Sequence, residues 1–256
     1  MNTAWSDNFT YDYFVRMLNA VKEKFNLRLL GDGLAAAIAQ SQLFLRHDVD
    51  VSINKALTMA EIEAEHGIQA TYMFIPHSRL YDIRHDRELL RRFIDLKHEV
   101  ALHFDVDEHG RVKQATIADV LMDIEQDCQI ISDITGESVR SVSFHRPMPQ
   151  FLKGELSIEG RTNAYSAVLM ESYISDSKGE WRNGEPLPYL QAAVTPVLQL
   201  LVHPIWWGVR HMKSRERLEE FYLNATAGLT SAARAKFDAD LAFTVPAVRR
   251  SNQAEA

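Results

Sequence analysis

Between residues 43 and 202 the chain switches repeatedly between short apolar, β-prone runs and longer stretches with helical periodicity. Leu43 to Asp48 reads as a strand that turns polar at its end. From Ile53 to His66 a stripe of Ile53, Ala56, Leu57, Ala60 and Ala64 marks a helix stopped by Gly67. A strand over Ala70–Ile75 is closed by Pro76, a helix covers Glu88 to Lys97, and a strand covers Val100–Phe104. Thr116 with Asp119 forms a capping-box pattern that opens a long helix ending before Gly136, and Val139–Phe144 is the next strand. Further strands are expected at about Tyr165–Met170 and Val197–Val202, with a helix over 11–25 in front and a charged helix from Ser214 behind. Strands alternating with helices at this spacing imply βαβ units and a largely parallel sheet with helices outside.

No repeat, low-complexity tract or linker interrupts the pattern. It predicts a single domain over residues 1–248 and a polar C-terminal tail over 249–256. Two connections are longer than packing needs, Pro147–Asn163 and Ser175–Pro188, and long loops of this kind often carry function. With 28 Lys and Arg against 35 Asp and Glu the net charge is −7, which argues against nucleic acid as a partner, because phosphate binding needs a basic face. No apolar run approaches the ~18 residues of a membrane span. The start, Met1-Asn-Thr-Ala-Trp-Ser-Asp, has neither a basic n-region nor an apolar h-region. With one cysteine, Cys128, in the whole chain, a cytoplasmic location is expected.

The ten histidines become informative once placed on this order. The first strand ends in His47-Asp48-Val49-Asp50, the second is followed by His77, the third ends in His103, the fourth in His145 and the late one in His203. Active sites of parallel α/β sheets form at the carboxyl ends of the strands. Asp48 and Asp50, two residues apart, share one face of a strand, where two carboxylates favour a cation or a shared proton. Taken singly, Asp-x-Asp is a solvated turn, His103 a hydrogen-bonded buried histidine and His203-Pro204-Ile205-Trp206-Trp207 an aromatic core edge. Taken together, packing is a poor explanation for so many strand ends of one chemical kind. His47 faces the other side of its strand, and His98 lies at the wrong end for chemistry. His66, His85, His109 and His211 read as solvated, and His77 is left without a role.

Leu45-Arg46-His47-Asp48-Val49-Asp50, Lys97 to His103, Phe144-His145-Arg146-Pro147 and Leu200-Leu201-Val202-His203 resemble, in order, the motifs of the polysaccharide deacetylase family. Ser175-Asp176-Ser177 through Trp181-Arg182 loosely resembles its Asp/Trp motif, and the match spans about residues 43–207. The resemblance implies an α/β fold, a distorted (β/α) barrel of the polysaccharide deacetylase type. Two departures stand out. Val49 separates aspartates that are adjacent in the usual motif, and Asp107 stands where a second histidine follows His103. Such departures resemble a divergent branch associated with bacterial capsule or lipopolysaccharide loci, in which His145 replaces the lost ligand.

The implied cofactor is a divalent metal ion, zinc first, held by Asp50, His103 and His145, with Asp107 and Asp105 as alternatives for one position. Asp48 is the implied base that takes a proton from metal-activated water, Arg146 the arginine that orients it, and His203 the acid that protonates the leaving group. Asp176 tunes Arg146 or a neighbour, and Trp181, Trp206 and Trp207 wall the substrate's acetyl pocket. The expected reaction removes an N- or O-linked acetyl group from a sugar of a bacterial surface polysaccharide or its cytoplasmic precursor. The rivals are hydrolysis of a non-sugar amide and a catalytically inactive glycan-binding member of the family. The sequence leaves the oligomeric state open.

Overall fold

The computed structural model describes residues 8–35, 40–110, 116–192 and 194–246, so the expected tail at 249–256 lies outside the described residues. In chain order the elements are α1 (Tyr11–Lys24), β1 (Asn26–Arg28), β2 (Gln42–Val49), α2 (Ile53–Glu65), β3 (Thr71–Phe74), α3 (Arg87–Asp95), β4 (Glu99–Phe104) and α4 (Ile117–Thr135). They continue with β5 (Ser141–Phe144), β6 (Ser157–Ile158), β7 (Arg161–Asn163), α5 (Ala167–Glu171), β8 (Tyr173–Ser175), α6 (Pro186–Ala192), β9 (Val197–Val202), α7 (Ser214–Ala225) and α8 (Ser231–Thr244).

Local chemistry sets the helix ends. Thr10 and Ser52 accept backbone N–H bonds at the starts of α1 and α2, and Thr116 and Asp119 form the expected reciprocal box on α4. Gly136 closes α4 in the left-handed region at φ 78°, where a side chain is disfavoured.

The strands form one sheet in the order β6-β7-β5-β4-β3-β2-β9-β8, with β1 beside the start of β2. Each pairing is parallel except the β6–β7 hairpin. The edge strands β6 and β8 are not paired with each other among the described residues, so the barrel is curled but open. Side-chain alternation then sorts the interior from the outer layer. Leu43, Leu45, Tyr72, Phe74, Val100, Leu102, Phe104, Val142, Leu198 and Leu200 join the large outer core with the helices. Phe44, Met73 and Ala101 meet Leu30, Ala164 and Leu169 in a small inner core. Each fully buried large apolar side chain contributes about 1.5–3 kcal/mol, so a one-residue slip of any central strand would expel several of them.

Below the inner core, Glu99 accepts from Thr71 Oγ1, Ser141 Oγ and the Gly31 N–H, and burial raises its carboxyl pKa. Above it, toward the carboxyl ends, the inward positions hold Arg46, Asp48, His103 and Ser143. The strand expected at Tyr165–Met170 is corrected. Ser166 precedes a short helix, Ala167–Glu171, and the strand follows at Tyr173–Ser175, where it pairs with β9.

Candidate metal centre

His103 is the fifth residue of β4, and its inward Nε2 lies 3.2 Å from Asp50 Oδ1 and 3.5 Å from Asp48 Oδ2. Its Nδ1 is 2.6 Å from Ser143 Oγ, the register partner on β5. His145 follows β5 directly and is fixed there by its N–H to the Phe104 carbonyl. Its Nδ1 is 3.2 Å from Asp50 Oδ1, and its Nε2 is 3.1 Å from the Thr244 carbonyl at the end of α8. A carbonyl only accepts, so the His145 proton sits on Nε2 and the Nδ1 lone pair of the neutral ring points at a carboxylate. A lone pair and a carboxylate oxygen at that distance require a cation between them, either a proton or a metal ion.

One donor atom each from Asp50, His103 and His145 lies within 4.8 Å of the other two. Both ring nitrogens that face away are held by oxygen, the usual support of histidine ligands. Two imidazoles and a carboxylate suit zinc or another first-row divalent ion, so the residues present fit the group that the motifs imply. Burial opposes charge on Asp50, but His145 and His103 hold its pKa well below the ordinary value. Burial likewise opposes charge on His145, and Asp50 outweighs it and raises the pKa.

Asp48 is 2% exposed and takes a two-pronged ion pair from Arg46, Nε to Oδ1 at 2.7 Å and Nη2 to Oδ2 at 2.6 Å. Burial raises its pKa, but Arg46 and then His103 outweigh it, so the carboxyl stays ionised. His203, just past β9, donates from Nδ1 to Asp176 Oδ1 at 2.6 Å, and its backbone N–H also reaches Asp176. Its Nε2 faces the centre, 4.0 Å from Asp50 Oδ2. Burial works against the imidazolium, yet Asp176, Asp50 and Asp48 together push the pKa up to about 9.

Several expectations are corrected. Arg146 does not reach Asp48. It pairs with Asp105 and, at 2.6 Å, with Asp107, and its guanidinium lies over the Phe243 ring. The arginine on Asp48 is Arg46, which sequence reasoning missed although strand alternation puts residues 46 and 48 on one face. Asp105 and Asp107 are engaged with Arg146 and do not join the group of Asp50, His103 and His145. Asp176 is fully buried, where it accepts from His203 and, at 2.9 Å, from Trp207 Nε1. Trp206, 4% exposed, packs against Gly179 in the core rather than walling a pocket. Trp181 does line a cavity of about 460 Å³, together with Pro147, Tyr165, Tyr173, Ser175 and Arg182. Tyr165 joins that cavity to the centre, because its ring lies 4.7 Å from the Arg46 guanidinium carbon. His109 is not solvated: its side chain is 13% exposed, and Nε2 lies 3.0 Å from Asp127.

No family model matches the chain, and no curated protein does. Solved structures are similar to it at low identity. A CE4 family pseudoenzyme from Bacillus anthracis is 15% identical over 77% of this chain and 66% of its own, with TM-score 0.43. A mutant of the peptidoglycan deacetylase PdaC from Bacillus subtilis is 15% identical over 78% of this chain and 92% of its own, with TM-score 0.41. A family 4 carbohydrate esterase from Streptomyces lividans, in complex with acetate, is 16% identical over 63% of this chain and 78% of its own, with TM-score 0.39. Among the described residues no helix is long and apolar enough to cross a membrane.

Proposed function

We propose that this chain is a metal-dependent hydrolase of the polysaccharide deacetylase type, removing an N- or O-linked acetyl group from a sugar of a bacterial surface polysaccharide or its precursor. The observation that carries this reading is the meeting of Asp50, His103 and His145 at one strand-end mouth, with Asp48 and His203 beside them. Asp50 Oδ1, His103 Nε2 and His145 Nδ1 would hold the ion, which supplies Lewis-acid polarisation of a carbonyl and of a water.

The remaining roles belong to the chain itself. Asp48, kept ionised by Arg46, takes the proton from the attacking water. His203 carries a proton on Nε2 toward the leaving nitrogen or oxygen, and Asp176 Oδ1 fixes the ring by holding Nδ1. Arg46 holds the base in place, and the Tyr165 ring packs on the Arg46 guanidinium. The cavity bordered by Trp181 and Tyr165 is large enough for a sugar ring and is the proposed acceptor of the substrate.

The test is acetate release from acetylated amino-sugars and nucleotide-sugars by the zinc-reconstituted protein. Release that disappears in Asp48→Asn supports the reading. Zinc bound at the centre without acetate release from any sugar or non-sugar amide would favour an inactive glycan-binding protein instead.

A further inference from the structure

The outward side of β4, beneath α4, carries a second set of donors unrelated to the mouth of the barrel. His77 comes from the loop after β3, His109 from the turn after β4, and Asp127 from α4. His77 Nε2 lies 3.0 Å from Asp127 Oδ1, and His109 Nε2 lies 3.0 Å from Asp127 Oδ2. The two rings stand at 82° with centroids 5.2 Å apart, and one donor atom from each of the three residues lies within 4.8 Å of the others. Asp123, one turn earlier on α4, brings Oδ2 to 3.7 Å from His109 Nδ1. Phe104 stacks on His109 at a centroid distance of 5.2 Å and fixes that ring from the sheet side.

Tetrahedral ligands about 2.1 Å from an ion stand roughly 3.4 Å from one another, so these side chains need only small shifts to share one. The Asp127 side chain is 2% exposed while that of His77 is 39% exposed, so the cluster is walled by protein on one side and open to water on the other. We propose that His77, His109 and Asp127 form a second binding site for a divalent first-row cation of the zinc class, completed by water or Asp123. Two imidazoles and a carboxylate select such an ion over calcium or magnesium, which take oxygen shells. An ion there clasps the β3 and β4 loops to α4. The β4 loop also carries Asp105 and Asp107, so the clasp steadies the rim that holds Arg146.

Zinc per chain is measured on full-length protein after reconstitution and removal of loose metal. His77→Gln with His109→Gln should lose one equivalent relative to the wild type, and Asp50→Asn with His103→Gln should keep it. The readout is that difference, so it holds whatever ion the barrel centre does or does not bind. Zinc should raise the thermal midpoint of the Asp50→Asn/His103→Gln protein, and anomalous scattering at the zinc edge should place a peak among His77, His109 and Asp127. Equal zinc content in the wild type and the folded His77→Gln/His109→Gln protein overturns the site, as does the lack of that peak in crystals grown with zinc. If the double variant misfolds, His77→Gln alone changes a partly exposed side chain and should weaken this zinc equivalent by about tenfold or more; unchanged affinity overturns the site.

Discussion

Two histidines, one in β2 and one just past the neighbouring β9, make the same bond with opposite consequences. His203 lies 2.6 Å from Asp176, and His47 lies 2.6 Å from Glu63. The His47 ring is wholly buried, stacked 4.3 Å from Tyr72, whose hydroxyl donates to the other Glu63 oxygen at 2.8 Å. His203 keeps 12% of its side chain exposed and turns its free nitrogen toward Asp50. A short imidazole–carboxylate bond is therefore no mark of a site in itself. What separates the pairs is whether the second nitrogen meets a cleft or a helix-packed wall.

His203→Ala gives the largest expected effect: a kcat lower by about 10²–10⁴-fold, with zinc content and thermal midpoint close to wild type. His47→Ala should reverse the pattern, losing stability while the folded fraction keeps its kcat. Next comes Glu63→Ala, which strands two buried partners and should cost about 3–5 kcal/mol in denaturant unfolding.

A third, smaller change separates the pairs by pH. In the proposed mechanism the acid form of His203 is the active one, so turnover should fall as pH rises through about 9. Asp176→Asn removes the leading group that raises this pKa, so the falling limb should move down toward the ordinary imidazole value of about 6.5. At pH 8 the pH–rate profile should then show a loss on the order of tenfold. A limb that stays put would separate Asp176 from the acid. The smallest effect belongs to Arg146→Lys, which keeps a charge near Asp105 and Asp107 and should cost about 1 kcal/mol or less with kcat within a few-fold. Arg46→Lys, which loses the fork on Asp48, should cost more in both measurements.

The strand rhythm was readable because periods of 2 and 3.6 dominate where a sheet is covered by helices. The same alternation places Asp50, His103 and His145 at one end, and it would also have paired Arg46 with Asp48 had it been followed two residues back. Loops obey no such period. Asp176 sits in one, and its bond to His203 depends on how β8 pairs with β9. His109 lies in a single tight turn after β4, whose direction no pattern in the chain specifies. The run Tyr165–Met170 has strand-like composition, but Ser166 starts a helix there and the ladder begins at Tyr173.

Thr244, at the end of α8, lends its carbonyl to His145. Without α8, His145 Nε2 would lose the acceptor that orients its ring. The orientation of the His145 ring thus depends on a helix 99 residues further along the chain.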